Sequence, residues 1–254
     1  MKINVLGTGT SQGIPVIGCS CAVCRSRDPR DKRLRTSVMV SDDQTTIVID
    51  VGPDFRQQML RESVQRVDAI LLTHEHNDHV SGLDDVRPYN FMTRKDMPVY
   101  GLPRVLEDVR QRFRYIFEDN PYPGAPRIKA IEITPYQSLE IGTIEVLPLR
   151  VHHGSLDILG FLFPGFAYLT DVKSIPVRSL ELLSGIEILI ISALHHKAHH
   201  SHLNLREALD LIERIGPRKC YLTHMSHEMG LYAHIQAQLP LGVELAYDGL
   251  EIEL

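Results

Sequence analysis

Apolar residues along the chain fall into short runs that predict β-strands. The runs are rich in Val, Ile and Leu and are bounded by Gly, Pro, Asn and Asp, which is typical of strands separated by turns. The predicted strands cover residues 3–6, 37–40, 46–51, 69–72, 144–149, 160–162, 166–169, 186–191, 220–222, 243–246 and 251–254. The pattern therefore predicts a protein built on several short strands.

Segments with helical spacing lie between these runs, at residues 54–63, 104–117 and 203–214. The last is the clearest, because Asn204 and Glu207 make an N-cap and capping-box pair and a Gly-Pro step follows it. Residues 120–126 contain three prolines and one glycine, so we expect an irregular loop there. Strands followed by strand–helix alternation in each half predict mixed sheets with helices outside, and we interpret residues 1–254 as one domain.

Composition excludes several classes of protein. A chain of 254 residues with 43% hydrophobic and 23% charged residues is typical of a globular protein with a substantial core. The net charge of −5 argues against a large nonspecific nucleic-acid surface. No apolar run is long enough for a membrane span, and the first residues lack the features of a signal peptide. We expect a cytoplasmic protein with reduced thiols.

Histidine is distributed unevenly, since none of the 13 precedes His74. His74, His76, Asp78 and His79 follow directly on the apolar run 69–72. Imidazole and carboxylate together suit divalent ions such as Zn²⁺ and Mn²⁺. His74 and His76 share one face of an extended segment, and a turn after His76 would bring Asp78 and His79 to a second position. The motif therefore predicts a metal site with room for two ions.

This motif resembles the defining signature of the metallo-β-lactamase superfamily. Members are four-layer αββα sandwiches of the α+β class, with two mixed β-sheets and a binuclear site at the edge between them. Further positions match the superfamily in the expected order, each at or just after the end of an apolar run. These positions are Asp50, His153, Asp171 and His224. The resemblance extends over nearly the whole chain.

The resemblance implies two ligand sets that share one carboxylate. They are His74, His76 and His153 for one ion and Asp78, His79 and His224 for the other, with Asp171 bridging. Asp78 is also a candidate catalytic residue, whereas Asp50 is expected to orient the site. His152 competes with His153, and the spacing from the preceding strand favours His153. The ligands suit zinc and manganese equally, so the choice between these ions stays open.

Three cysteines, Cys19, Cys21 and Cys24, form a C-x-C-x-x-C run. In a reduced compartment this run indicates a structural zinc site that lacks one ligand. Cys220 lies inside a predicted strand and is expected to be a buried core thiol, so His227 is the better fourth ligand. The combination resembles the phosphoribosyl cyclic phosphate phosphodiesterases of phosphonate breakdown, as do the opening loop at residues 7–15 and the ending at residues 247–252.

Five histidines lie in residues 195–202, just before the capped helix. In the phosphodiesterase branch and in the tRNA 3′-processing ribonucleases, a histidine before this helix assists phosphodiester cleavage. Counting back from Asn204 favours His202, with His200 as the competitor. A histidine that titrates near neutrality can protonate a leaving oxygen or donate to a phosphoryl oxygen. The other histidines of the segment, His195, His196, His199 and His200, have no assigned role.

These features predict a binuclear metal-dependent phosphodiesterase. Its substrate would be a small phosphate ester, cyclic esters included, attacked by metal-bound hydroxide while His202 assists the leaving group. One alternative is a tRNA 3′-processing ribonuclease, for which the basic stretches 25–35 and 104–114 are the candidate arms. Another is a protein similar to the pyrroloquinoline-quinone biosynthesis B proteins. Nucleic acid and membranes are not expected partners. Many members of the family are dimers, so a homodimer is one alternative, and the oligomeric state stays open.

Overall fold

The computed structural model describes residues 1–254 and contains fourteen strands and eight α-helices. The strands are β1 (Lys2–Gly7), β2 (Ser37–Ser41), β3 (Thr46–Ile49), β4 (Ala69–Leu71), β5 (Met97–Gly101), β6 (Ile128–Glu132), β7 (Leu139–Ile141), β8 (Ile144–His153), β9 (Leu156–Phe163), β10 (Phe166–Leu169), β11 (Ile188–Ser192), β12 (Lys219–Thr223), β13 (Val243–Leu245) and β14 (Leu250–Glu253). The helices are α1 (Ala22–Arg25), α2 (Phe55–Arg61), α3 (Asn77–Val80), α4 (Arg87–Thr93), α5 (Pro103–Arg112), α6 (Val177–Leu183), α7 (Leu205–Ile215) and α8 (Tyr232–Gln236). Short 3₁₀ turns cover Pro29–Asp31, Leu83–Val86, Arg114–Ile116 and His227–Met229.

The strands form two seven-stranded sheets of the same design. The first has the order β14-β1-β2-β3-β4-β5-β6 and the second the order β13-β12-β11-β10-β9-β8-β7. Pairs from β14 to β3 and from β7 to β10 are antiparallel. Pairs from β3 to β6 and from β10 to β13 are parallel. Both sheets are therefore mixed, as the sequence predicts.

Three apolar layers hold the sheets and helices together. Ile47 and Ile49 of β3 point into the layer between the two sheets, which also contains Ile190 of β11. The intervening Val48 points to the opposite face, where Phe55 of α2 covers it. A corresponding layer joins the second sheet to α6, α7 and α8. Because the central strands are buried on both faces, they appear in the sequence as continuous apolar runs. The predicted αββα sandwich is confirmed.

Helix α7 begins as the sequence predicts. The Asn204 side chain accepts a hydrogen bond from the Glu207 amide at 2.9 Å, and the Glu207 carboxylate accepts one from the Asn204 amide at 2.9 Å. Gly216 ends the helix with a φ of 67°, a conformation that glycine adopts at little cost. The cap fixes the position at which the histidine-rich loop 195–202 enters the helix.

Some elements differ from the prediction. The predicted helix 104–117 is α5 followed by a separate 3₁₀ turn, because the α-helical hydrogen bonds end at Phe113. The short strand β5 and the polar edge strands β6 and β7 were not predicted. Proline is rare inside paired strands, and β5 contains Pro98, while β6 exposes Lys129 and Glu132 and has no fully buried residue. Residues 120–126 have no helix or strand, as predicted.

None of the helices has the length and apolar character needed to cross a membrane.

Candidate metal centre

Polar side chains converge at the edge where the carboxyl ends of several strands meet. Each lies on the segment that follows a buried strand or, for one of them, at the last residue of a strand. They are Asp50 after β3, His74 and His76 after β4, Asp78 and His79 in α3, His153 at the end of β8, Asp171 after β10 and His224 after β12. Parallel strands place their carboxyl ends at one edge, so residues distant in sequence become neighbours.

Three histidines form the first group of potential ligands. One ring nitrogen from each of His74, His76 and His153 lies within 4.8 Å of the other two. Nε2 of His74 is 2.9 Å from Nδ1 of His76. Nδ1 of His153 is 2.9 Å from the carbonyl of Ser201, which leaves Nε2 directed into the group. His76 is exposed whereas His74 and His153 are buried, so the centre opens to solvent beside His76.

The second group combines imidazole with carboxylate. Ligand atoms of Asp78, His79 and His224 lie within 4.8 Å of one another. Asp171 contacts this group, with its two oxygens 3.3 Å from Nε2 of His79 and 3.2 Å from Nε2 of His224. Asp171 also belongs to a cluster with His74, a member of the first group. The structure therefore brings together all seven predicted active-site ligands, with Asp171 between the two groups.

The side chains fit divalent metal ions. Nε2 of His79 and both ring nitrogens of His224 are buried without a hydrogen-bond partner. A buried polar atom without a hydrogen-bond partner has lost its hydrogen bonds to water without replacing them, which destabilises the fold. Ring nitrogens that converge on carboxylate oxygens are the donor set that Zn²⁺ and Mn²⁺ accept.

Negative charge around His79 supports the same conclusion. Burial disfavours the charged ring, but Asp50, Asp171 and Asp78 outweigh burial and hold the pKa of His79 well above its usual range. Asp50 is fully buried, and its Oδ2 lies 2.7 Å from Nδ1 of His79. It contacts the ring from the side opposite the other carboxylates and has no place in the ligand groups. Three carboxylates around one imidazole provide the negative charge that a divalent ion would balance.

A threonine precedes three of the site residues, and these threonines were not predicted from the sequence. Thr73 donates its hydroxyl to Asp50 at 2.8 Å and lies 2.9 Å from Nδ1 of His74. Thr170 donates to Asp171 at 2.6 Å. Thr223, before His224, lies 3.2 Å from the hydroxyl of Thr36. All three strand-end threonines are fully buried. The signal was a Thr-His or Thr-Asp pair repeated at the end of three apolar runs.

Backbone conformation distinguishes the same positions. Asp50, Asp171 and His224 have φ values of 62°, 56° and 56°, in the left-handed region that residues with a Cβ rarely adopt. Each such residue costs on the order of 1–3 kcal/mol and persists where the surrounding structure imposes it. Strained residues of this kind cluster at functional sites. Here the left-handed conformation directs three side chains toward the same centre.

The structure separates the competing histidines. His202 lies with its ring 4.5 Å from that of His153 and 5.1 Å from that of His224. His200 is exposed and contacts His199 instead. Burial and the neighbouring His224 lower the pKa of His202 to about 3. His152, the alternative to His153, lies outside the centre against Asp157 and Ser174.

A second cluster joins the cysteine run to the segment after β12. Nδ1 of His227 is 3.3 Å from Sγ of Cys19, 3.4 Å from Sγ of Cys21 and 3.6 Å from Sγ of Cys24. The Cys24 amide donates to Sγ of Cys21 and lowers the pKa of that thiol to about 6. None of the cysteines forms a disulfide. Three thiols and an imidazole are the donor set of a structural zinc site. Cys220 is buried in the core, as predicted.

The two clusters are linked through the backbone. The Met225 amide donates to the carbonyl of Thr8 at 2.9 Å, and the Thr10 amide donates to the carbonyl of Met225 at 3.1 Å. The loop that follows β1 therefore lies directly against the residue after His224. This loop holds the short segment that carries both the predicted active-site ligand His224 and the predicted fourth zinc ligand His227.

Comparison with known proteins agrees with the geometry. The sequence profile of the β-lactamase superfamily domain matches residues 45–225. A Porphyromonas gingivalis protein named octanoyltransferase is 43% identical over 99% of this chain but over 51% of its own length. The chain thus spans about half of that relative. The crystal structure of Zn²⁺-bound PqqB from Methylobacterium extorquens is 19% identical with a TM-score of 0.80, over 100% of both chains, which shows a shared fold.

A crystal structure described as a new diphosphatase from the PhnP family is similar over nearly its entire length. It is 40% identical, covers 100% of this chain and 97% of that chain, and superposes with a TM-score of 0.93. The resemblance inferred from the H-x-H-x-D-H motif is confirmed. The chain therefore belongs to the β-lactamase superfamily, and within it to the PhnP family.

Proposed function

We propose that the chain is a binuclear metal-dependent phosphodiesterase that hydrolyses a small phosphate ester, cyclic esters included. The observation that carries this proposal is the position of Asp171, whose carboxylate lies 3.3 Å from His79, 3.2 Å from His224 and within 4.8 Å of a ring nitrogen of His74. A carboxylate between two sets of three ligands is the arrangement expected of a two-metal site. His74, His76 and His153 would hold one ion, and Asp78, His79 and His224 the other. The cysteine cluster would hold a structural zinc ion.

The ions, when bound, would supply an activated water and neutralise charge on the attacking and leaving oxygens. Asp78 is the carboxylate best placed to orient that water. Its Oδ2 lies 3.3 Å from Nε2 of His79 and 3.8 Å from Nε2 of His224, and its side chain is 14% exposed. The opening beside His76 gives substrate access to this carboxylate.

His202 would act on the leaving group. Its Nδ1 lies 3.6 Å from Oδ1 of Asp171, so the opposite nitrogen, Nε2, faces away from that carboxylate. The ring is 13% exposed at the border of the centre. An imidazole there can donate an N–H to a phosphoryl oxygen or to the departing alkoxide. Positioned donors of this kind stabilise charge that develops in the transition state.

The relatives support phosphoryl chemistry over acyl transfer. The PhnP-family relative, described as a diphosphatase, matches this chain over nearly its whole length. The match to the relative named octanoyltransferase covers only 51% of that protein. The other half of that protein has no counterpart in this chain, and its name describes the whole protein. We therefore propose a phosphate-containing substrate for this chain and do not assign acyl transfer to it.

A substrate panel tests the proposal. The purified chain, loaded with Zn²⁺ or Mn²⁺, would be assayed on bis(p-nitrophenyl) phosphate, a ribose cyclic phosphate, precursor tRNA and a β-lactam. We expect release of product from the small phosphodiesters and none from the lactam. Preferred cleavage of precursor tRNA would replace the proposal with the ribonuclease alternative. A fully metal-loaded protein that cleaves no phosphate ester would overturn it.

A further inference from the structure

The loop that follows β1 and the segment that follows β13 have no part in the proposed chemistry. They lie at opposite ends of the sequence but meet in the structure, where the Thr8 hydroxyl donates to Oδ1 of Asp248 at 2.7 Å. Thr8 is fully buried, and its carbonyl accepts the amide of Met225, the residue after the predicted ligand His224. The contact between the two segments therefore reaches the neighbour of a ligand.

The ring of His224 is held differently from the rings of three other predicted ligands. In those three, Nδ1 has a partner that orients the ring, which is Thr73 for His74, Asp50 for His79 and the Ser201 carbonyl for His153. Nε2 of His224 lies 3.2 Å from Asp171, but its Nδ1 is buried without a hydrogen-bond partner. Metal-binding histidines are normally oriented through the second nitrogen. The orientation of His224 must therefore come from its backbone.

The backbone of His224 is held by the loop after β1. His224 has a φ of 56°, a conformation that persists only where the surrounding structure imposes it. The next residue, Met225, is fully buried, and both of its peptide groups are bound. Its amide donates to the Thr8 carbonyl at 2.9 Å, and its carbonyl accepts the Thr10 amide at 3.1 Å. The position of Thr8 is thus transmitted to His224 through one residue.

Two charged side chains fix Thr8 in turn. Nη1 of Arg33 donates to the Thr8 hydroxyl at 2.7 Å and to the Ala246 carbonyl at 2.7 Å. The hydroxyl passes its own proton to Asp248, whose other oxygen accepts the Leu34 amide at 2.7 Å. A hydroxyl has one donor and can accept as well, so both of its functions are used here. This arrangement fixes the Thr8 side chain in one orientation.

Burial makes this arrangement stringent. Arg33 is 4% exposed, and a buried charge is costly unless it is hydrogen-bonded. Without the Thr8 hydroxyl, Arg33 and Asp248 would each lose a short hydrogen bond, and both would have to move to replace it. Backbone bonds from Gly9 to Leu34 and from Ile14 to Arg33, each 2.8 Å long, would still hold the loop. Loss of the hydroxyl should therefore shift the loop locally and leave the fold intact.

We infer that Thr8 is a positioning residue for the metal ligand His224. Its hydroxyl, bound between Arg33 and Asp248, places the carbonyl that holds Met225 and so substitutes for the missing partner of the His224 ring. The inference rests on the proposed function, in which His224 holds one of the two ions of the centre. It gives the loop after β1 and the segment after β13 a role in metal binding.

The test measures the affinity of the centre for zinc in variants of Thr8. The cysteine cluster would first be filled with zinc, and competition with a fluorescent chelator would then give the two binding steps of the centre. Thr8→Val keeps the shape of the side chain and removes the hydroxyl. One of the two steps should weaken by about tenfold or more, as is typical when a group that orients a ligand is lost. Thr8→Ser, which keeps the hydroxyl, should restore the original affinity.

Thr45→Val is the matched control for a loss of stability. Thr45 is also buried, and its hydroxyl lies 2.9 Å from that of Thr143, in a contact that includes none of the predicted ligands. Thermal unfolding of the metal-free proteins would show a lower unfolding temperature for both valine variants. Only Thr8→Val should lose zinc affinity, because a general loss of stability would weaken both variants alike.

Equal zinc affinities in Thr8→Val and Thr45→Val, or no rescue by Thr8→Ser, would overturn the inference. If Thr8→Val does not fold by circular dichroism, Arg33→Met makes the same comparison because it removes the donor to the hydroxyl. Its control is Arg61→Met, since Arg61 pairs with Asp248 at 3.5 Å but forms no hydrogen bond with Thr8.

The same titration separates this inference from the proposed function. An original protein that takes up only one ion in the centre would overturn the two-metal proposal and the inference with it. Uptake of two ions with unchanged affinity in Thr8→Val would remove the role of Thr8 and leave the proposed function. No substrate is present, so the result does not depend on turnover.

Discussion

Nδ1 of His79 lies 2.7 Å from Oδ2 of Asp50, and both side chains are completely buried. The Thr73 amide and hydroxyl donate to the same carboxylate. This contact fixes the imidazole so that its other nitrogen, Nε2, faces Asp78 and Asp171, each at 3.3 Å. A carboxylate that holds a metal-binding histidine in this way sets the orientation and basicity of the ring.

Replacement of this carboxylate should weaken metal binding while preserving the fold. In Asp50→Asn the amide would keep one acceptor for Thr73 but could no longer accept a charge-assisted bond from His79. Loss of such a partner typically costs about 10- to 100-fold in metal affinity or activity. Competition with a fluorescent zinc chelator would measure the affinity. The exposed Asp43→Asn should behave like the original protein, and equal affinities in both variants would show that Asp50 does not act on the metal.

Removal of the His202 ring should slow turnover without loss of metal. Donors that act on the leaving group contribute about 100- to 10,000-fold to rate, so kcat of His202→Ala on bis(p-nitrophenyl) phosphate should fall within that range. Elemental analysis should give the same metal content as the original protein, because the ring lies outside both predicted ligand sets. His234→Ala provides an exposed histidine control. Unchanged turnover would exclude His202 from the reaction, and a joint loss of metal would make it a ligand.

The cysteine cluster should hold one ion independently of the centre. We expect Cys21→Ala to lose one equivalent of zinc per chain and to unfold at a lower temperature, because structural zinc contributes several kcal/mol to folding. Cys220→Ala serves as the control. It removes a buried core side chain and should lower the unfolding temperature while keeping every metal equivalent. A full zinc content in Cys21→Ala would contradict the site.

Asp248 should make stability fall as pH rises. Burial raises its pKa from 3.8 to about 6, although Thr8 and the Leu34 amide donate to it. Between these values the native protein retains a proton that the unfolded chain has released. The stabilisation is therefore complete below about pH 4 and lost above about pH 6. A shift of this size corresponds to about 3 kcal/mol in the free energy of unfolding.

Asp248→Asn mimics the protonated carboxyl and provides the comparison. Urea unfolding of both proteins across about pH 4 to 7 should show the original protein losing about 3 kcal/mol relative to the variant. Protonation of the metal ligands affects both proteins alike and cancels in the difference. A constant difference across this range would mean that Arg61, 3.5 Å away, already holds the carboxylate ionised at the acid end.

The sequence predicted most central strands and the edge strands β13 and β14, but it missed the edge strands β6 and β7 and the internal strand β5. Val48 packs on one side of its sheet while Ile47 and Ile49 pack on the other, so this strand is apolar throughout and visible as a run. The edge strand β6 exposes Lys129 and Glu132 and has no fully buried residue, so its sequence resembles that of a loop. Pro98 interrupts the apolar pattern of β5, although this strand is paired on both sides. The local sequence pattern shows which side chains are buried. It reveals that a strand is paired in a sheet only where the strand is also buried.

For the site, the resemblance to the superfamily supplied the predicted ligands, because most of them follow a buried strand in the expected order and His153 is the last residue of one. The role of each remaining histidine required the tertiary structure. His195, His196, His199 and His200 are indistinguishable in a polar loop. In the structure, His196 contacts the carbonyl of Met229 and His199 lies beside His202. The left-handed backbone at Asp171 and His224 is likewise imposed by packing and has no signature in the sequence.

Metal titration of the metal-free chain tests the two-metal phosphodiesterase most directly. Release of p-nitrophenol from bis(p-nitrophenyl) phosphate would be followed against equivalents of Zn²⁺ or Mn²⁺ bound, with the cysteine cluster filled first by zinc. We expect little activity with one ion in the histidine and aspartate groups and full activity when both groups are filled. Full activity with a single ion in these groups, or none when both are filled, would contradict it.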